Sequence, residues 1–335
     1  MGEAKMLNVL FFAVKRILIG IVVLWAIVSI VFILEHGPGA ADPIRLTLGS
    51  HYTYGNYHRL LHAYGLDVSL FQQYLNYLGL APILGWFGVQ LGTGQVNTGL
   101  LEGNLGLSFQ YPGTPVWSLI QSGVPVTLKL GAYALVVALL VGIPVGLISA
   151  IKQNSLVDHV GQGTMIILYA IPTFVVVPFF QLWFGDDLRW FPVQGWGDSL
   201  KEVVLPVAAY SFGLAGFFAK SFRSFMLEVL QQDYIRTARA KGLHRSTIII
   251  LHAMKNTLVP LASIVGPTIA YLIVGAFIIE RFFAIPGIAN ETVQAVFSGD
   301  YGVIEATTIL LASFVVVINM VTDIAYTIID PRVRL

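Results

Sequence analysis

The sequence predicts an all-α fold, a polytopic membrane protein, and three observations predict it. Of its 335 residues, 56% are hydrophobic and 11% charged, with a mean hydropathy of +0.77. Soluble domains carry about 25% charged residues, so this chain has too few polar side chains to coat a water-exposed globule. Six stretches approach the roughly 20 apolar residues that cross a bilayer: 17–34, 124–150, 162–184, 203–219, 258–279 and 303–329. Lys and Arg also segregate to one side of these stretches, as in helical membrane proteins whose cytoplasmic loops are basic.

The first span follows an N-terminal cytoplasmic segment, the two together making residues 1–34. No charge interrupts 17–34, and no small-x-small cleavage pattern follows in EHGPGAADP, so it reads as a retained span rather than a removed leader. Residues 35–123 are too polar and too broken by Gly and Pro to span; their aromatic content argues for an ordered extracytoplasmic segment. Within it, SLFQQYLNYLGL has the spacing of a short amphipathic helix. Residues 124–335 form a five-span core, interrupted by a loop at 220–257.

With both termini in the cytoplasm, the inner set of cations is Lys5, Lys15, Arg16, Lys152, Lys220, Arg223, Arg236, Arg239, Lys241, Arg245, Lys255, Arg332 and Arg334. Arg45, Arg59, Arg189, Lys201 and Arg281, with Lys129 near a helix end, fall outside. The inverted topology would reverse the bias.

The densest basic cluster, DYIRTARAKGLHRSTIIILHAMKN (Asp233–Asn256), therefore lies in the cytoplasmic loop between the fourth and fifth spans. SFRSFMLEVLQQDYIRTARAKG has helix formers throughout and then Gly242, a natural helix stop. Phe225, Leu227, Val229, Leu230, Tyr234, Ile235 and Ala238 supply its apolar side; Arg236, Arg239 and Lys241 take polar positions. A second run, STIIILHAMKNTLVP, re-enters the membrane with Ser246 or Thr247 placed to cap it and Pro260 placed to kink it. Charge alone leaves two readings of this loop, a positive-inside anchor on anionic lipid or a docking element.

Other chemistry is poorly supported. There is no cysteine, no GxxxxGK[ST], no HExxH and no GxSxG, which argues against thiol catalysis, a Walker-type nucleotide site and the common hydrolase sites. His58 and His62 have i, i+4 spacing, read as polar surface in preference to a metal site. Asp323, one turn after Asn319, is the carboxylate most plainly inside a span and is a functional candidate on that ground. About 7 residues separate it from the Asp330–Pro331 exit, placing it roughly 10 Å from the cytoplasmic end, a depth suited to pairing with an inner cation such as Arg16. Gly142 and Gly146, around Pro144, have the spacing of a close helix contact.

DYIRTARAKG followed by HAMKNTLVP resembles the cytoplasmic signature of permease subunits in bacterial ATP-binding-cassette importers, most closely the dipeptide, oligopeptide and nickel group. VPVTLKLGAYALVVALLVGIPVGLISAIKQNSLVD, AIPTF, ERFFAIPGIANETV and NMVTDIAYTIIDPRVRL are similar to that group in the expected order, and YGLD with GNLGLS resembles the first permease of its pairs. Where the general importer motif has Glu-Ala-Ala, this chain has Arg236, Thr237 and Ala238, the form usual in the peptide-type subgroup. Asn104 and the Gly-rich GLAPILGWFGVQLGTGQVNTG depart from the group and bear on the substrate.

The resemblance implies a type I importer permease in which Asp233, Tyr234, Arg236, Thr237, Ala238, Arg239, Lys241 and Gly242 form a coupling helix docked on a separate ATPase. It further implies a second homologous permease, two ATPase subunits that carry ATP and Mg²⁺, and an extracytoplasmic substrate-binding protein, with no cofactor or metal in this chain, no enzymatic activity of its own and no nucleic-acid partner. Short peptides are the leading substrate class, oligosaccharides the alternative, and nickel is disfavoured. An ion-coupled secondary transporter remains a reading of another class, opposed by the position of Asp323 and the absence of a convincing inverted repeat.

Overall fold

A computed structural model describes residues 2–40, 42–49, 53–80, 83–84 and 99–329. The Asp330–Pro331 exit, Arg332, Arg334 and most of the Gly-rich stretch lie outside the described residues. Helices dominate the described residues, and the only β pairing is two isolated bridges, Gly99 with Asn104 and Leu107 with Pro115. In chain order the helices are α1 (Gly2–His36), α2 (Pro43–Leu48), α3 (Tyr54–Ala63), α4 (Leu70–Leu78), α5 (Val116–Ile120), α6 (Gly123–Ile151), α7 (Leu156–Ala170), α8 (Thr173–Phe180), α9 (Leu200–Leu230), α10 (Asp233–Ala240), α11 (Lys255–Val274), α12 (Phe277–Phe282), α13 (Ile288–Ser298) and α14 (Tyr301–Ile329). Five segments are each long and apolar enough to cross a membrane: Phe11–His36, Gly123–Ile151, Leu200–Leu230, Arg245–Phe282 and Tyr301–Ala325.

The third expected span, 162–184, is not one straight helix. It is α7 followed by α8 and a π-helical stretch Gln181–Asp187, bent by 97°. The cause is local: Ile171 precedes Pro172, is extended (φ −78°, ψ 120°), and so ends α7, after which Pro172 starts α8.

The chain divides into two compact units. The core unit comprises residues 1–17, 128–285 and 317–335. Its helices approach at backbone distance where glycine faces a neighbour. A Cβ on Gly142 would stand 2.9 Å from Ala215 O, and one on Gly216 would stand 2.7 Å from Met165 O. The expected close packing at Gly142 and Gly146 is thus against α9 within the same chain. Fully buried Phe218, Phe222 and Met226 of α9 centre this core.

The other unit comprises residues 18–127 and 286–316. Ser69 caps α4 at Gln72 N, and Gly79, left-handed at φ 77°, closes it. Asp300, 3% exposed, ties the GNLGLS loop to the start of α14 by accepting hydrogen bonds from the Ser108 hydroxyl and Phe109 N (2.9 Å). Tyr64 donates to Ser108 O at 2.8 Å, and burial with the nearby Asp300 charge raises its phenol above the usual range. His62 lies 2.7 Å from Asp67, whose carboxyl that hydrogen bond lowers; no metal-binding group forms there among the described residues.

Candidate functional site

The basic loop is built as a short helix between two reversals. The sequence suggests one helix running to Gly242, but the chain breaks at Gln231 and Gln232: Gln232 is extended (ψ 150°) and α10 begins afresh at Asp233. Asp233 in the first turn and Arg239 in the last complement the helix dipole. Gly242 (φ 77°) donates to Arg239 O at 3.0 Å and Leu243 N to Ala238 O at 3.3 Å. These are the paired bonds of a Schellman stop, which requires a left-handed residue. The following turn is capped by the His244 ring accepting from Ser246 N, not by Ser246 or Thr247. A π-helical stretch, Ile248–Met254, then leads into α11, which continues through Pro260.

Only two α10 side chains face inward. Ile235 (0% exposed) and Ala238 (7%) join Phe222, Met226, Ile248 and Ala253 in one core cluster. Asp233, Tyr234, Arg236, Thr237, Arg239 and Lys241 are exposed. Tyr234 therefore leaves the apolar side assigned to it, because helical phase places it between the two inward positions and the polar face. Arg236 and Asp233 approach at 3.4 Å with side chains 73% and 95% exposed, a pair that contributes little to stability. The Thr237 hydroxyl donates to Asp233 O. The outcome is a short helix fastened by two apolar contacts, with every charge of the predicted set turned outward.

A groove of about 690 Å³ opens in the core unit. Tyr169, Phe174, Tyr210, Phe217 and Tyr271 supply aromatic faces, and Ser263 and Thr268 supply hydroxyls. Both hydroxyls donate to carbonyls of their own helix, Pro260 O and Ile264 O, each at 2.7 Å. Among the described residues, no charged side chain lines the groove.

Asp323 Oδ2 lies 2.9 Å from Arg16 Nη1, with both side chains more than a third exposed. Asn319 is half-buried and makes no side-chain hydrogen bond among the described residues. A stronger pair escaped the sequence reading. Asp158, fully buried, receives Arg223 Nε and Nη2, both at 2.8 Å. A carboxylate at the start of an apolar helix and an arginine late in another are each visible in sequence, but 65 residues separate them and no spacing rule joins them.

Residues 142–335 match the family of binding-protein-dependent transport system inner membrane components, and residues 9–131 match the N-terminal domain of such membrane components. The chain is 37% identical over 276 residues to the dipeptide transport system permease protein DppB of Lactococcus lactis, covering 82% of this chain and 84% of that one. It is 37% identical over 236 residues to the oligopeptide transport system permease protein OppB of Salmonella typhimurium, covering 70% and 77%. A solved structure of the MetNI methionine ABC transporter superposes with a TM-score of 0.55 at 18% identity, over 63% of this chain and 96% of that one, a likeness of fold. Taken with the helical core and the short basic helix outside it, these matches establish that the chain belongs to the family of binding-protein-dependent transport system inner membrane components.

Proposed function

We propose that this chain is the permease subunit of an ATP-driven importer of short peptides, with α10 as the element that receives motion from an ATPase subunit. The observation that carries the proposal is the construction of α10. Two buried apolar residues hold it to the core while five exposed polar or charged side chains, with Lys241 at its C-cap, face away. A solvent-facing loop needs no such seat, whereas an element that transmits displacement must be fixed to what it moves. ATP binding can bias the permease only through contacts that differ between ATPase states, so the outward face of α10 is where those contacts are made.

Short peptides are favoured because the relatives are named as dipeptide and oligopeptide permeases. The groove suits that class: aromatic faces and internally satisfied hydroxyls present no fixed charge against peptides of varied side chains. It would form one wall of a passage completed by a second, homologous permease. Specificity would rest mainly on an extracytoplasmic binding protein, and ATP with Mg²⁺ would be held by two ATPase subunits. Both termini and α10 face the cytoplasm in this reading, which follows from the Lys and Arg distribution.

The test is uptake of labelled peptide into proteoliposomes containing the complete complex. Uptake should require ATP and the binding protein. Uptake driven by an ion gradient without ATP would reject the proposal in favour of a secondary transporter.

A further inference from the structure

The Asp158–Arg223 pair joins three elements in the core unit. Besides the two Arg223 bonds, the Asp158 carboxylate accepts from the Ser149 hydroxyl, near the end of α6, and from Asn154 N at 2.9 Å, in the turn before α7. Asn154 adopts a left-handed conformation (φ 63°), which Asn tolerates, and this turns its N–H toward the carboxylate. One buried side chain thus fixes the end of α6, the connecting turn, the first turn of α7 and the final third of α9.

The same three helices have little slack elsewhere. Gly142 and Gly146 bring α6 onto the α9 backbone, and Gly216 brings α9 onto the α7 backbone. A Cβ on Gly161 of α7 would stand 3.5 Å from Ser149 Cβ of α6. At one end of this block, Ile235 and Ala238 of α10 pack in the same cluster as Phe222 and Met226 of α9. Beyond the pair, Tyr169 of α7 and Phe217 of α9 line the groove with ring centroids 5.9 Å apart. A continuous packed path therefore runs from the exposed helix to the groove wall, and along it Asp158 adds a bonded tie between α7 and α9 to their backbone-distance packing.

We infer that Asp158 and Arg223 are positioning residues that lock α6, α7 and α9 into one body, so that displacement of α10 reaches the groove wall instead of being lost between helices. This rests on the importer reading above. It also demands that α6 and α7 keep their contact throughout the transport cycle. Packed interfaces hold discrete arrangements and do not deform continuously, so a block clamped by a fully satisfied buried carboxylate moves whole.

The test uses the complete complex in proteoliposomes, reading peptide uptake per ATP hydrolysed. The first arm is the double variant Ser149→Cys with Gly161→Cys in a chain that has no other cysteine. A Cβ separation of 3.5 Å falls within disulfide range. The bond should form on oxidation, and the oxidised complex should retain uptake per ATP within about twofold of its own reduced form, as expected if no motion occurs at this contact. Loss of uptake on oxidation, restored by dithiothreitol, would overturn the inference, as would failure of the bond to form.

The second arm is Arg223→Lys, which keeps the charge but cannot supply the two-pronged contact. Uptake per ATP should fall roughly tenfold in a complex that still assembles and hydrolyses ATP, within the range for removing one link of a coupled network. Parent-like coupling in Arg223→Lys would also overturn it. A parent complex without ATP-dependent uptake would count against the importer reading itself and not against the pair.

Discussion

Gly216→Ala and Gly163→Ala make the same chemical change in two long helices with opposite expected outcomes. Each replaces helical glycine by alanine, which favours the helix by about 1 kcal/mol. A Cβ on Gly163 meets nothing within 4 Å, so that gain should appear undiminished as stabilisation of about 0.5–1 kcal/mol. A Cβ on Gly216 would lie 2.7 Å from Met165 O, 2.9 Å from Leu168 Cβ and 2.9 Å from Tyr169 N. Two of these are backbone atoms, which cannot rotate away, so α7 and α9 must separate by several tenths of an ångström. Overpacking of this kind costs about 1–3 kcal/mol, and the backbone contacts place it near the upper end. The net expectation is about 2 kcal/mol of destabilisation for Gly216→Ala and a gap of roughly 3 kcal/mol between the variants. That gap corresponds to roughly 6 °C or more in melting temperature for a unit of this size. The assay is thermal melting of the detergent-purified chain, followed by tryptophan fluorescence. Equal melting temperatures, or a Gly216→Ala protein more stable than its parent, would refute the reasoning about backbone-distance packing.

Other outcomes follow from the same contacts. Gly242→Pro removes the N–H that bonds Arg239 O and cannot adopt φ 77°, so it should abolish the Schellman stop and cut uptake per ATP at least tenfold while membrane insertion persists, read by uptake and by yield in membranes. Arg236→Glu combined with Lys241→Glu should leave the melting temperature of the isolated chain within about 1 °C, because both side chains are exposed, yet uncouple hydrolysis from uptake. Asp300→Asn puts an amide where a buried carboxylate accepts from Ser108 and Phe109 N; it should destabilise the unit containing residues 18–127 by about 1–3 kcal/mol, measured as increased proteolysis of the GNLGLS loop.

Some of this architecture is legible in the chain because its cause is local. Long apolar runs with few or no charges give α1, α6, α9 and α14, and a glycine after a basic turn gives the end of α10. Where a competing local rule operates, the first reading fails. Pro172 bends an apolar run by 97° because Ile171 must be extended before it. Gln231 and Gln232 are acceptable helix residues, yet the helix breaks there, and just beyond the break Ile235 and Ala238 are buried in the core cluster. Here tertiary burial overrides propensity. The least legible feature is the Asp158–Arg223 pair. Each residue reads as an ordinary charge at a helix end, and only folding makes them neighbours. The groove is equally hidden, because Tyr169, Tyr210 and Tyr271 belong to three different helices.

The central claim is that the exposed face of α10 is covered by an ATPase subunit. Because the chain lacks cysteine, Arg236→Cys places a single thiol on that face, and its labelling by a membrane-impermeant maleimide can be compared in inside-out vesicles with and without the ATPase subunits. The account predicts rapid labelling of the permease alone and strong protection in the assembled complex. Equal labelling in both would mean that α10 touches no such partner, and would contradict it.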